Sequence, residues 1–353
     1  MSFAARLSAW QRLHGRSGLP WQDTRDPYRI WLSEIMLQQT QVSAVLAYYT
    51  RFLERFPDVA SLARAPIDDV LALWSGLGYY RRAHHLHAAA RAIADEHGGA
   101  FPRDATTLAT LPGIGRSTAA AIAAFAYGER NPILDGNVKR VLARHRGIEG
   151  WPGAPKVEAA LWRVAESLVP DDQTEDGIEA YTQGMMDLGA TVCLRSRPRC
   201  DVCPVHEDCV ARIEHRIDEL PAPRPAKELP HREVRLLVIE REGALLFEKR
   251  PASGIWGGLW SMPECAIEED VSIVVRSRFG AQVEVRETMP PVEHGFTHYT
   301  LTMHPVRCEA SSWPASVGEA QVAWLAPDDA LQAGLPAPIR KLVLGLQALQ
   351  VRG

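Results

Sequence analysis

From Ile30 to Phe52 the apolar residues fall at helical spacing: Ile30, Trp31, Ile35, Val42, Val45, Leu46, Tyr49 and Phe52. Asp26–Pro27 stands ahead of them as a start signal, an N-cap carboxylate followed by proline in the first turn. One helix is predicted over the whole stretch. Further helical periods fall over 58–64, 67–74, 80–96, 104–109, 116–127, 137–146, 155–168 and 175–188. After DELPAPRPAKELPHR (218–232), with its four prolines, the period changes. Residues 232–240, 244–250, 281–287 and 297–309 alternate or are β-branched, which predicts strands, with helices near 267–278 and 337–349. The pattern divides the chain into a helical domain (1–216), a linker (217–231) and an α+β domain (232–353).

Composition adds two exclusions. No apolar run approaches the eighteen or so residues of a membrane span. The N-terminal MSFAARLSAWQRLHG lacks the apolar centre of a signal peptide, so the expected location is intracellular, in the cytoplasm. The formal net charge of −4 argues against a chain that binds nucleic acid with its whole surface, but a binding face needs only a local excess. Two such excesses exist, Lys139, Arg140, Arg144 and Arg146, and Arg195, Arg197 and Arg199. Each is also what a solvated face looks like.

Structural disulfides do not suit six cysteines in an intracellular chain. Cys193, Cys200, Cys203 and Cys209 follow Cys-x6-Cys-x2-Cys-x5-Cys within 17 residues, and four thiolates so close can surround one metal centre. Spacing leaves zinc and an iron–sulfur cluster open. Cys265 and Cys308 stand apart.

Leu111-Pro112-Gly113-Ile114-Gly115-Arg116-Ser117 lies between two helical segments, at about 108–127, ahead of an alanine-rich helix. Two glycines around one apolar anchor permit a tight interhelical turn. Its N–H groups and the next helix N-terminus would face a phosphate. Many such turns merely connect helices. Glu34 sits in the apolar stretch WLSEIMLQQTQV, where desolvation would raise its pKa toward a proton donor's range; an exposed polar helix face is the other reading. Asp135, ahead of Gly136-Asn137-Val138, reads as a helix N-cap, a role compatible with catalysis.

WLSEIMLQQTQV (31–42), GLGYYRRAHHLH (76–87), LPGIGRS (111–117), ILDGNVKRVLAR (133–144) and the cysteine cluster together resemble the endonuclease III superfamily of DNA glycosylases, and within it the MutY-type adenine glycosylases. The resemblance implies a multi-domain protein, an all-α helix-hairpin-helix glycosylase domain with an iron–sulfur cluster loop followed by an α+β Nudix-like domain. It implies that Glu34 is the proton donor and Asp135 the catalytic aspartate. It gives Gln39 and Tyr79, with Gln38 alongside, as residues that wedge into the base stack, and Gly113 and Gly115 as hairpin contacts to DNA. The four cysteines become ligands of a [4Fe–4S] cluster, and Arg195, Arg197 and Arg199 face the phosphate backbone.

Relatives that also cleave the strand carry a lysine where this chain has Ser117, which implies a monofunctional hydrolase. Nudix outlines include Gly258 and Glu264, but Ser272 to Val275 stand where metal-binding carboxylates are needed, so diphosphate hydrolysis is not expected. The family's Phe-Ser-His loop, which reads 8-oxoguanine, is here Phe296-Thr297-His298; threonine keeps the hydroxyl and adds a methyl. The expected partner is duplex DNA with A:8-oxoguanine or A:G mispairs, bound by a monomer. Two rival expectations are a bifunctional endonuclease III-like enzyme for oxidised pyrimidines and a non-catalytic iron–sulfur DNA-binding protein.

Overall fold

The computed structural model describes residues 1–171, 177–226, 228–314 and 321–350. The first half of the chain is helical: α1 (Phe3–His14), α2 (Pro27–Leu37), α3 (Val42–Arg55), α4 (Val59–Arg64), α5 (Ile67–Trp74), α6 (Arg81–Glu96), α7 (Ala105–Leu108), α8 (Arg116–Tyr127), α9 (Gly136–Arg146), α10 (Pro155–Leu168), α11 (Ile178–Asp187) and α12 (Val210–Ile213). The helix predicted across Ile30 to Phe52 is in fact two. Gln39 takes a left-handed backbone (φ 57°) between α2 and α3, which breaks the hydrogen-bond ladder although the apolar spacing continues in phase. The start of the helix predicted over 175–188 lies outside the described residues.

Two compact units result, one of Met1–Ala63 with Ala88–Ala226, the other of Arg64–His87 with Lys227–Gly353. The first is built around Leu7, Ala121, Ala124, Leu142, Leu161, Tyr181 and Met185, all buried. Alanines let α8 approach α2 and α11 closely, which brings the polar positions of three helices toward one space. α11 runs on into a π-helical turn, Leu188–Val192, and then the cysteine loop. At that turn Gly189 meets Asn137 so tightly that a Cβ would fall 2.6 Å from the Asn137 Cβ.

The second unit carries one mixed sheet of β1 (His231–Arg241), β2 (Ala244–Lys249), β3 (Trp260–Ser261), β4 (Glu264–Cys265), β5 (Gln282–Thr288), β6 (Val292–Gly295), β7 (Thr300–Ser312) and β8 (Val322–Leu325). Its main path is β3-β2-β1-β7-β5, and β1 and β7 are the parallel centre, with Leu237 opposite Val306. α13 (Val271–Phe279), started by the Asp270 cap, packs Val274, Val275 and Phe279 against Leu237, Ile239 and Cys308. α14 (Pro327–Gln332) and α15 (Ala337–Gln350) close the chain. Among the described residues no helix is long and apolar enough to cross a membrane.

Candidate active site

Asp26 caps α2 by accepting from the Tyr28 N–H at 2.9 Å, and Pro27 occupies the first turn. The helix then buries Tyr28, Ile30, Trp31, Leu32, Ser33, Ile35 and Met36, which leaves Glu34 as the one carboxyl in an apolar helix. The exposed-face reading does not hold. Glu34 is half-buried and lines a cavity of about 500 Å³ together with Arg16, Trp21, Ser33, Phe125, Glu179 and Gln183. Burial pushes its pKa up to about 8, the negative charge of Asp135 adds to the rise, and Arg16 opposes it. At neutral pH Glu34 carries a proton.

Asp135 caps α9, its Oδ1 accepting from the Val138 N–H at 2.7 Å, as the sequence predicts. The residue before it is fixed as well: the Leu134 N–H donates to Ser117 Oγ at 2.8 Å, which ties the Asp135 loop to the start of α8. Burial raises the Asp135 pKa, while N–H groups of Val138 and Asn137 and the charges of Arg140 and Arg16 pull it down. Asp135 is not part of the cavity wall, but its charge reaches Glu34. Backbone N–H groups favour the charged form of Asp135, and none is among the causes that act on Glu34. Two carboxyls within electrostatic reach, one of them protonated at neutral pH, are the kind of pair that hydrolysis of a glycosidic bond uses.

Residues that the sequence did not single out complete the surroundings. Arg16 donates from Nε to Asp187 Oδ1 at 2.7 Å and from its backbone N–H to Oδ2 at 2.9 Å, and Gln183 adds 2.8 Å to Oδ1. Asp187 is wholly buried, so this network locks a cation into the cavity wall. Glu179 pairs with Arg25 at 2.9 Å. The available signal was the polar series Glu179, Gln183 and Asp187 at helical spacing on an otherwise apolar α11.

Cys193, Cys200, Cys203 and Cys209 all line one pocket, with Arg144, His145, His206 and Arg212. Among the described residues no three His, Cys, Asp or Glu side chains are placed to hold a single metal ion. The thiols are nevertheless close enough to repel as thiolates: Cys193 raises the pKa of Cys200, Cys203 and Cys209, after burial in each case, and Cys203 is pushed up to about 12. The four cysteines line one space, a donor set that both structural zinc sites and iron–sulfur clusters use.

Three cations of the basic run on α9, Lys139, Arg140 and Arg144, are engaged within the protein, while Arg146 is exposed. Arg140 donates to the carbonyls of Cys193 and Gly189 at 2.7 Å each, and Arg144, buried, donates to those of Leu194 (2.6 Å), Arg195 (3.1 Å) and Leu220 (2.8 Å). Lys139 pairs with Glu158 at 2.6 Å. The α9 cations hold the cysteine loop because its irregular backbone has carbonyls that no ladder satisfies. Arg195, Arg197 and Arg199 are exposed on that loop.

In the hairpin, Gly113 (φ 76°) makes the turn, Ile114 is buried as its anchor, and Gly115 caps α8 with no side chain in front of the helix N-terminus. Gln38 ends α2 with its Nε2 3.4 Å from Thr118 Oγ1. Gln39 and Tyr79 (φ 49°) both hold left-handed backbones, and both are exposed. In the second unit, Thr297 and His298 are exposed beyond the end of β6, while Phe296 stacks on Tyr299 at 4.6 Å and meets Trp256 at 5.3 Å. Glu264 is paired with Arg250 at 2.6 Å.

Residues 32–167 match the family of HhH-GPD superfamily base excision DNA repair proteins, and residues 234–344 match the NUDIX domain. A solved structure of a thermostable thymine-DNA glycosylase aligns with a TM-score of 0.53 at 28% identity, over 60% of this chain and 95% of that one. Fold and site thus define a base-excision DNA glycosylase with a NUDIX-type domain behind it. Two relatives narrow the class. The adenine DNA glycosylase of Buchnera aphidicola subsp. Acyrthosiphon pisum (strain APS) is 35% identical over 97% of this chain and 96% of its own length. That of Homo sapiens is 32% identical over 99% of this chain and 74% of its own. The chain belongs to the MutY-type adenine DNA glycosylases, enzymes that remove adenine from DNA in base excision repair.

Proposed function

We propose that this enzyme excises adenine paired with 8-oxoguanine or guanine by hydrolysis alone, without cutting the strand. The observation that carries the reading is the carboxyl pair: Glu34, protonated at neutral pH, within electrostatic reach of Asp135, which the Val138 N–H holds at the start of α9. Adenine must leave the base stack to be reached. Glu34 then donates its proton to the base, at N7, so that it departs as a neutral molecule. Positive charge develops on the sugar, Asp135 stabilises it, and water adds to the sugar carbon, giving up the proton that restores the carboxyl pair. Ser117 cannot form a Schiff base, and its hydroxyl is engaged by Leu134, which disfavours a bifunctional enzyme for oxidised pyrimidines.

Gln39 and Tyr79, with Gln38 beside them, wedge into the distorted stack. Gly113 and Gly115 offer backbone N–H groups to a phosphate. Phe296, Thr297 and His298 read the base opposite adenine, Thr297 through its hydroxyl. Cys193, Cys200, Cys203 and Cys209 hold a [4Fe–4S] cluster, which cross-links the loop and takes no part in bond cleavage; the loop's three arginines meet phosphates. The protein works as a monomer in the cytoplasm, with domain limits along the sequence at 1–216, 217–231 and 232–353 and the segment Arg64–His87 packed with the last of these. Incubation with duplexes bearing A:8-oxoguanine, A:G or thymine glycol, analysed with and without alkali, tests the reading. Adenine release with strand breaks appearing only after alkali is expected; nicking without alkali, or action on thymine glycol alone, contradicts it.

A further inference from the structure

Tyr79 comes from the helical half of the sequence, yet Arg64–His87 forms one compact unit with the C-terminal sheet. The attachments are specific. Ser75 Oγ and the Tyr80 hydroxyl both donate to the Leu335 carbonyl at 3.0 Å, and both bonds are buried. His84 Nε2 lies 2.9 Å from the Gly257 carbonyl, and Lys249 pairs with Asp68 at 2.6 Å. A Cβ on Gly258 would fall 3.2 Å from Leu71 and His84 atoms, and one on Gly334 3.3 Å from Leu71, so the two segments meet closely at these glycines.

These attachments lead from one proposed DNA contact to another. Trp256, in a left-handed backbone (φ 56°), packs its ring on Phe296 at 5.3 Å and on His294 at 5.5 Å. Its chain neighbour Gly257 holds His84. On the other side, the Tyr80 hydroxyl also accepts from the Gly76 N–H at 3.2 Å, and so closes the turn that presents Tyr79. Arg82 lies over the Tyr79 ring, 5.6 Å from its centroid, and donates to the Gly78 carbonyl at 3.2 Å.

We infer that Tyr80 is a positioning residue for base discrimination: through Leu335 it fixes Tyr79 to the body that carries the Phe296–His298 loop, so that wedge and loop read the opposite base as one element. This rests on the proposed reading of the loop. A packed, hydrogen-bonded chain of contacts can carry such coupling, but only a coupling measurement establishes it.

The test is a double-mutant cycle on the full chain, using Tyr79→Leu and Thr297→Ala, repeated in a Tyr80→Phe background. Single-turnover adenine release is measured on A:8-oxoguanine and A:G duplexes, and the ratio of the two rates is the readout. The two substitutions should depart from additivity by at least about fivefold in the parent, the lower end of ordinary coupling between sites. That departure should vanish in Tyr80→Phe, which also lowers the ratio by itself. Should Tyr80→Phe not fold, Ser75→Ala removes the companion donor from the same carbonyl and takes its place. Additivity in the parent, or coupling that survives loss of the hydroxyl, overturns the inference. A parent with no preference for 8-oxoguanine over guanine overturns the loop reading as well, and is distinguished by needing no variant.

Discussion

Glu34 is suited to the acid's role proposed for it because its surroundings disfavour its charge. The rate of adenine release should therefore fall as pH rises through about 8, the value to which burial and Asp135 push its pKa. A single-turnover pH profile checks this. Stability moves with the same proton. The folded pKa lies above the ordinary carboxylate value of 4.5, so folding takes up a proton between the two and ionisation destabilises the folded chain as pH rises toward 8. Glu34→Gln should accordingly raise Tm more at pH about 9 than at pH about 4, where the carboxyl is protonated in both states. Ser117 has the opposite character, a residue whose hydroxyl supports its neighbours. Ser117→Ala leaves the Leu134 N–H without its acceptor, which should cost about 1–3 kcal/mol in urea unfolding and slow excision by loosening Asp135.

At the level of elements, the sequence was informative wherever one local rule decides the outcome. The Asp135 cap, the Gly113–Gly115 turn and the four main strands follow from N-cap chemistry, φ > 0 and alternation, and each lies close to its predicted place. The break at Gln39 was not legible, because Gln38 to Gln41 contain neither glycine nor proline and the apolar phase runs through them. Nor was the use of Arg140 and Arg144, whose partners are carbonyls some 50 or more positions away. Arg144 is buried with three carbonyls of the cysteine loop and its continuation around it. Arg144→Ala should destabilise the chain by at least about 3 kcal/mol, through acceptors left unpaired, and lower the iron content of the purified protein.

On the scale of the whole molecule, the charge pattern resolves into two roles. A net charge of −4 coexists with DNA binding because a binding face needs only a local excess: Arg140 and Arg144 are engaged internally, whereas Arg195, Arg197 and Arg199 are exposed together on one loop. If each meets a phosphate, each replacement by alanine should reduce the slope of log K against log salt by about 0.9 without changing which mispair is preferred. Composition could not have separated the two groups, since an arginine that holds a loop and one that holds DNA look alike in sequence. The membership of Arg64–His87 in the second unit was equally hidden, because it depends on contacts such as Tyr80 with Leu335, 255 positions apart.

The central claim is that the proton held on Glu34 is what releases adenine. Its most direct measurement is single-turnover excision by Glu34→Gln on an A:8-oxoguanine duplex, with binding to the same duplex measured in parallel. A glutamine keeps the shape and the affinity but has no proton to give, so the rate should fall by about 10²–10⁴-fold while binding stays within a few-fold. A variant that still releases adenine at nearly the parent rate would contradict the account.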